Sequence, residues 1–368
     1  MSVVMNTCED NSCTSEIFNN VGVVFHGDTN KNGNRCALIL DSGQMIVYDL
    51  NNHRNIYTSK NREFSVCTYS SDPGYLNSIV ATISGKENNS IQCIDERVAK
   101  LNASISFSEN HLPESVKFAS LAFNDRILIA GTCTVDKSSL NHDPQSLMIF
   151  WDLRMPTNSS GCYWQSHSND VTSLYLHSNY LVSASTDGLV NLFDLTESSE
   201  DDALLCTHNC GEPIERVSLR CFDKTGSLPD GYIIAETCQG SVDLILLNQQ
   251  ELHSVETTNR DKWISYIDSG ANRKDQYCFQ MASDLRFHSD NKVILHSVVN
   301  YQDTCNLYKF EKKVSKSLSN ACRQKCFAKP FKCHSKSVYA WTPSTQWDNA
   351  TSAIFISYED GSMTRHIL

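Results

Sequence analysis

A short apolar run that closes on aspartate recurs along this chain: VYDL ending at Leu50, QCID at Asp95, FWDLR at Arg154 and LFDL at Leu195. The four aspartates, Asp49, Asp95, Asp152 and Asp194, stand 46, 57 and 42 residues apart. A unit of this length cannot bury its apolar face alone, so successive copies must stack on one another. Repetition therefore constrains the fold before any single motif does.

The clearest copy is HSNDVTSLYLHSNYLVSASTDGLVNLFDL, from His167 to Leu195. Val171 to His177 and Tyr180 to Ser185 alternate apolar with polar residues, Asp187-Gly188 supplies a tight hairpin, and a third strand follows from Leu189 to Leu195. A fourth strand is predicted over Ala203 to Thr207, after the acidic loop Glu197 to Asp202. Degenerate copies follow at Gly231 to Asn248 and Lys292 to Phe310, and Ser337 to Leu368 supplies three strands. The period of about 40–45 residues is that of a four-stranded propeller blade, with loop insertions accounting for the longer gap.

The chain is thus expected to be all-β: a seven-bladed β-propeller of four-stranded antiparallel blades near 20–60, 61–110, 111–166, 167–210, 211–257, 258–312 and 331–368. A basic connection spans 313–330. Residues 259–280 hold either the sixth blade's first strand or an insertion. The last blade is one strand short, and a ring without exposed edges results if an N-terminal strand completes it. Segment 1–19 is therefore read as partly flexible, with Ser2 to Thr7 or Glu16 to Asn19 as the closing strand. Residues 20–368 form a single domain, a size that propellers reach as one unit.

FWDLR at Phe150 to Arg154, with Trp151 and Asp152, and the unit running from Ser166-His167 to Phe193-Asp194-Leu195 resemble the WD-repeat family. The generic pattern covers most of the chain. The resemblance implies a buried hydrogen-bonded set in each blade: His167, Ser183 or Ser185, and Asp187, with Phe193 where the family places a tryptophan. Phenylalanine donates no hydrogen bond, so the set is incomplete here. A His, Ser and Asp in one unit also invite a hydrolase reading. A nucleophile needs exposure and an oxyanion site, whereas repetition within a sheet points to a folding device.

Other chemistry is sparse. Gly85-Lys86 lacks the earlier glycine of a phosphate loop, Val80 standing there, and neither HExxH nor GxSxG occurs. Cys322, Cys326, Cys333 and His334, and separately Cys206, His208 and Cys210, carry zinc-ligating atoms at spacings that match no standard knuckle. No metal, cofactor or small-molecule substrate is assigned, and the chain is not expected to be an enzyme.

The N-terminus has no basic start leading into an apolar run, and no stretch approaches the ~18 apolar residues of a membrane span. The sixteen cysteines are scattered, many in apolar runs such as those around Cys36, Cys67 and Cys133. They read as reduced thiols, and the acceptor tripeptides at Asn88, Asn102, Asn158 and Asn349 as unmodified, in a cytoplasmic or nuclear protein that is not secreted.

A net charge of −11 argues against general nucleic-acid binding. One segment reverses it: Lys309, Lys312, Lys313, Lys316, Arg323, Lys325, Lys329, Lys332 and Lys336 meet a single acid, Glu311. It is expected to project as a loop between the sixth and seventh blades, read either as a solvated loop or as a docking site for an acidic protein partner, RNA or a nuclear-import factor, with Phe310, Phe327 and Phe331 anchoring it or stacking on bases. The leading reading is a non-catalytic scaffold for protein partners, and the alternative is an RNA- or ribonucleoprotein-binding propeller.

Overall fold

The computed structural model describes residues 6–7, 14–30, 33–59, 63–70, 78–84, 91–95, 117–134, 146–155, 159–221, 231–248, 251–258, 278–288, 292–301, 304–313, 325–330, 337–341 and 353–367. These form an all-β assembly of seven antiparallel sheets, five of them four-stranded. The second sheet has three described strands. The last sheet has five, because Thr14–Phe18 pairs with Met363–Ile367 and Asn6–Thr7 adds beyond it. The expected four-stranded blade thus describes five of the seven sheets.

Within each sheet the chain runs from an inner strand outward. The inner strands of the first four sheets are Val24–Thr29, Glu63–Tyr69, Phe118–Phe123 and Val171–His177. Those of the last three are Ile214–Cys221, Cys278–His288 and Ser337–Trp341. Each lies beside the inner strand of the next sheet from the first to the fifth. The fifth sheet's second strand, Gly231–Thr237, packs on the sixth's inner strand, and the seventh's inner strand returns to the first. This circular order is that of a β-propeller.

Stacking explains why the middle strands read as continuous apolar runs. In Arg35–Leu40, Cys36 and Leu38 pack with Phe18, Phe355 and Met363 of the last sheet, whereas Ala37 and Ile39 pack with Phe64, Cys67 and Tyr69 of the second. Both faces of the strand are interior. Trp151, fully buried, joins Ile91 of the second sheet to Phe118 and Leu128 of the third. Ser120 Oγ donates to Val171 O at 2.6 Å and Thr172 Oγ1 to Ile214 O at 2.7 Å, tying neighbouring inner strands together, and Ser357 Oγ, on the last sheet's second strand, donates to Val24 O of the first sheet's inner strand at 3.1 Å.

Two local devices repeat. The turn between second and third strands carries a glycine at positive φ in four sheets, Gly43, Gly188, Gly240 and Gly361. There its N–H donates to the carbonyl three residues earlier, at 2.9 to 3.1 Å. Every inner strand also has a register break near its start, at Val24/His26, Phe64/Val66, Phe118/Ser120, Val171/Ser173, Ile214/Arg216, Gln280/Ala282 and Ser337/Tyr339. Such a bulge re-aims the side chains that follow it.

Two expectations are corrected and one open alternative is narrowed. The basic connection expected over 313–330 is not simply a loop: Thr304–Lys313 is the sixth sheet's third strand, within the copy read at Lys292 to Phe310, but Lys325–Pro330 is its fourth, paired with Glu311 opposite Lys325 and Leu307 opposite Lys329. Ladder pairing there outweighs the low strand preference of lysine. The fourth sheet's last strand is Leu204–Asn209, and Glu200–Ala203 before it forms one helical turn capped by Ser199. The sixth sheet's first strand begins at Cys278, and 259–277 lie outside the described residues.

Candidate functional site

Three of the signature aspartates that end the third strands, Asp49, Asp152 and Asp194, are turn caps. Asp49 accepts from the N–H groups of Asn51 and Asn52, both at 3.0 Å; Asp152 accepts from Arg154 N–H at 2.9 Å; Asp194 accepts from Thr196 N–H at 2.9 Å. Each carboxylate takes up donors of the turn that reverses the chain toward the fourth strand. Asp152 also receives the Arg154 guanidinium at 2.6 Å, and these bonds lower its carboxyl to about 2. Asp95 ends its strand in the same place.

In the fourth sheet, His167 Nδ1 lies 3.1 Å from Asp187 Oδ2, and its Nε2 lies 2.7 Å from Ser183 Oγ. A carboxylate only accepts, so Nδ1 carries the proton and Nε2 accepts from the serine. Asp187 also accepts from Ser168 N–H at 2.9 Å and Leu189 N–H at 2.9 Å. Burial alone would raise the Asp187 carboxyl, but the hydrogen bonds from His167 and from these N–H groups hold it below the usual carboxylate range. Ser185 has a different job, donating to Asn169 O at 3.0 Å and accepting from Asp187 N–H at 3.1 Å.

Phe193 stands outside this set, fully buried and 5.3 Å from the Tyr163 ring. Asn191, two residues earlier on the same strand, is the missed member. Its amide donates to Ser166 O at 2.9 Å and reaches His167 Nε2 at 3.4 Å, and its carbonyl accepts from Thr207 at 2.7 Å. The signal was a single amide inside the apolar strand LVNLFD.

The acidic stretch is engaged as well. Glu200 accepts from the N–H groups of Trp164 at 2.8 Å and Gln165 at 2.9 Å and from the Ser166 hydroxyl, fixing the entry to the fourth sheet.

A second cluster converges at the ring axis from residues far apart in sequence. His26, Arg216 and Tyr339 each follow the bulge of an inner strand, in the first, fifth and seventh sheets. Arg216 donates to Tyr339 Oη at 3.1 Å and to Ala340 O at 3.2 Å, lies 3.7 Å from Glu236, and places its guanidinium carbon 5.6 Å from the Tyr339 ring centre. The His26 ring stacks on Tyr339 at 6.1 Å, and Cys67 Sγ approaches His26 Nδ1 at 3.8 Å. Asp28 ties in the second sheet by accepting from Thr68 Oγ1 at 3.0 Å and Tyr69 N–H at 2.8 Å.

Cysteine beside histidine is the constellation of a thiol nucleophile, but the electrostatics oppose that use. Burial, then the nearby Arg216 charge, lowers His26 to about 4. Burial, then Asp28, pushes the Cys67 thiol well up. A reactive thiolate needs the reverse, together with access, and Cys67 is 1% exposed. Arg216 is satisfied by its own chain, and the described side chains at the axis bond one another.

The basic residues fall on the sixth sheet's outer hairpin: Lys309, Lys312 and Lys313 on its third strand, Lys325 and Lys329 on its outermost. Lys316, Arg323, Lys332 and Lys336 lie outside the described residues, as do Cys322, Cys333 and His334. Cys206, His208 and Cys210 lie on and just after the fourth sheet's outermost strand.

The circular order of sheets, the bulged inner strands and the axial layer define a β-propeller. The chain is similar over 94% of its length to the beta-propeller domain of Myceliophteria thermophila Cps50 (Swd1), of which it covers 96%, with a TM-score of 0.58 and 12% identity. It is similar over 98% of its length to a chain of the Mitotic Checkpoint Complex, covering 95% of that chain, with a TM-score of 0.60 and 10% identity. At these identities the likeness is one of fold. No family model matches the sequence.

Proposed function

We propose that this chain is a non-catalytic scaffold of the WD-repeat type, its seven sheets acting as the blades of one ring formed by residues 20–368 and completed by a strand from 1–19. The run DGLVNLFDL with the acidic stretch after it is similar to WD repeat-containing protein 89, which supports the repeat reading. The observation that carries the functional reading is the axial layer. Among the described residues, the polar side chains His26, Asp28, Arg216 and Tyr339 at the ring's centre bond within the chain, and the Cys67–His26 pair is poised against ionisation. Binding at the rims is what such a ring offers. A similar chain belongs to a structure described as a complex, which favours protein partners.

The docking surface we assign is the sixth sheet's outer hairpin and the segment continuing from it, with Lys309, Lys312, Lys313, Lys325 and Lys329, facing an acidic protein. A lysine-bearing edge strand also guards a sheet against edge-to-edge pairing, so the assignment needs a binding test. Buried thiols such as Cys36 and Cys67 suit a cytoplasmic or nuclear protein.

The test is affinity purification of the chain and of a variant with Lys312, Lys313, Lys316, Lys325, Lys329 and Lys332 changed to Ser. A defined protein set that is lost in the variant supports the reading. Unchanged partners remove the hairpin from it, RNA captured in a salt-sensitive way replaces protein with nucleic acid, and the absence of any specific partner overturns it.

A further inference from the structure

The alternation along the fourth sheet's outermost strand places Cys206, His208 and Cys210 on one face, half-buried, with Thr207 and Asn209 exposed between them. That face meets the fifth sheet, where Asp243 sits on the strand Val242–Asn248, 4% exposed in an otherwise apolar run. His208 Nε2 lies 3.0 Å from Asp243 Oδ2. The ligand atoms of His208, Cys210 and Asp243 all lie within 4.8 Å of one another.

We infer that His208, Cys210 and Asp243 form a site for a zinc-like divalent transition metal, clamping the fourth blade to the fifth. One nitrogen, one sulfur and one oxygen are donors for a borderline-soft ion; calcium and magnesium call for all-oxygen shells. Bonds of about 2.0–2.3 Å to a shared ion need donors separated by less than twice that length, so modest side-chain adjustment suffices. Three protein ligands leave a fourth position for water.

The surroundings are those of a supported site. Asp243 Oδ1 accepts from Ser254 at 2.7 Å and Thr257 at 3.1 Å, which fixes the carboxylate plane and leaves Oδ2 toward His208. Burial, then Asp243 and Glu212, pushes the Cys210 thiol up to about 12. The same negative surroundings that disfavour a bare thiolate favour a cation. On binding, the Cys210 S–H bond breaks, sulfur coordinates the ion and one proton leaves to solvent. The His208 proton that faces Asp243 Oδ2 moves from Nε2 to Nδ1, so that Nε2 can coordinate the ion. Because a proton is released, affinity falls by about tenfold per pH unit on acidification near neutrality.

The test uses the full chain under a non-thiol reductant, titrated with cobalt(II) and then displaced with zinc. The expected result is a thiolate-to-cobalt charge-transfer band saturating at one equivalent, and a zinc-dependent rise in melting temperature. Cys210→Ser and His208→Gln should each weaken cobalt binding beyond the roughly 10–100-fold that loss of an outer-shell partner costs. Cys206→Ser, on the same face but outside the set, should retain the band. Failure of the folded wild type to develop the band overturns the site, as does a band that persists in both ligand variants. Circular dichroism checks folding, and His208→Gln decides the matter if Cys210→Ser misfolds.

Discussion

Lowering the pH from 7.5 to 5.5 should destabilise this propeller, through two histidines kept neutral inside it. His366, 2% exposed on the last blade's strand Met363–Ile367, is lowered to about 4 by burial, and its Nε2 meets Thr364 Oγ1 at 3.1 Å. His26 at the axis is likewise lowered to about 4, by burial and then Arg216. In the unfolded chain both titrate near 6.5, so between roughly pH 6.5 and 4 the unfolded state binds more protons and stability falls with pH. Integrating that linkage, each histidine costs about 1.3 kcal/mol between pH 7.5 and 5.5, and the pair about 2.6 kcal/mol. His177, lowered by burial, adds to the loss with the same sign, whereas Asp187 and Asp243, whose carboxyls are lowered, act in that direction only near and below their unfolded value of 3.8. Urea unfolding followed by tryptophan fluorescence at the two pH values measures the loss. His366→Gln, which keeps a partner for Thr364, should remove about 1.3 kcal/mol of it. Equal or greater stability at pH 5.5, or an unchanged loss in His366→Gln, would refute the reasoning.

Asn191→Ala should cost roughly 1–3 kcal/mol in urea unfolding, because it strips partners from His167, Ser166 and Thr207 at a buried position; a change within experimental error would remove Asn191 from the blade's hydrogen-bonded set. Arg216→Met should cost about 3–5 kcal/mol by leaving Glu236 buried without its cation, and adding Glu236→Gln should restore part of it. A double variant no more stable than Arg216→Met would show that the pair is not coupled. Deleting residues 1–18 uncovers the edge of Met363–Ile367 and breaks the Arg365–Glu16 ion pair, so light scattering should show self-association and the melting temperature should drop. A deletion variant that stays monomeric and melts like the full chain would contradict closure by that strand.

What was legible in the sequence was what lies within one blade. The Asp187-Gly188 hairpin, the strands on either side of it and the turn-capping aspartates are local, so pattern and turn chemistry locate them. His167, Ser183 and Asp187 were likewise within one unit. Asn191 escaped because the family pattern drew attention to Phe193, two residues on along the strand. The axial layer could not be read, since His26, Cys67, Arg216 and Tyr339 are unremarkable alone and meet only when the ring closes. Asp243 was hidden in the same way, although a lone carboxylate inside SVDLILL is a cue that a partner must be near. The sixth sheet's outermost strand, Lys325–Pro330, read as part of a loop because charge masked its pattern, and only pairing across the ladder shows it as a strand.

The most direct test of the scaffold account is cross-linking mass spectrometry of the full chain with a co-purified protein partner, using a lysine-reactive linker. The account expects partner cross-links concentrated on Lys309, Lys312, Lys313, Lys325 and Lys329, with binding that weakens as salt is raised. Cross-links confined to other blades, with affinity indifferent to salt, would contradict it.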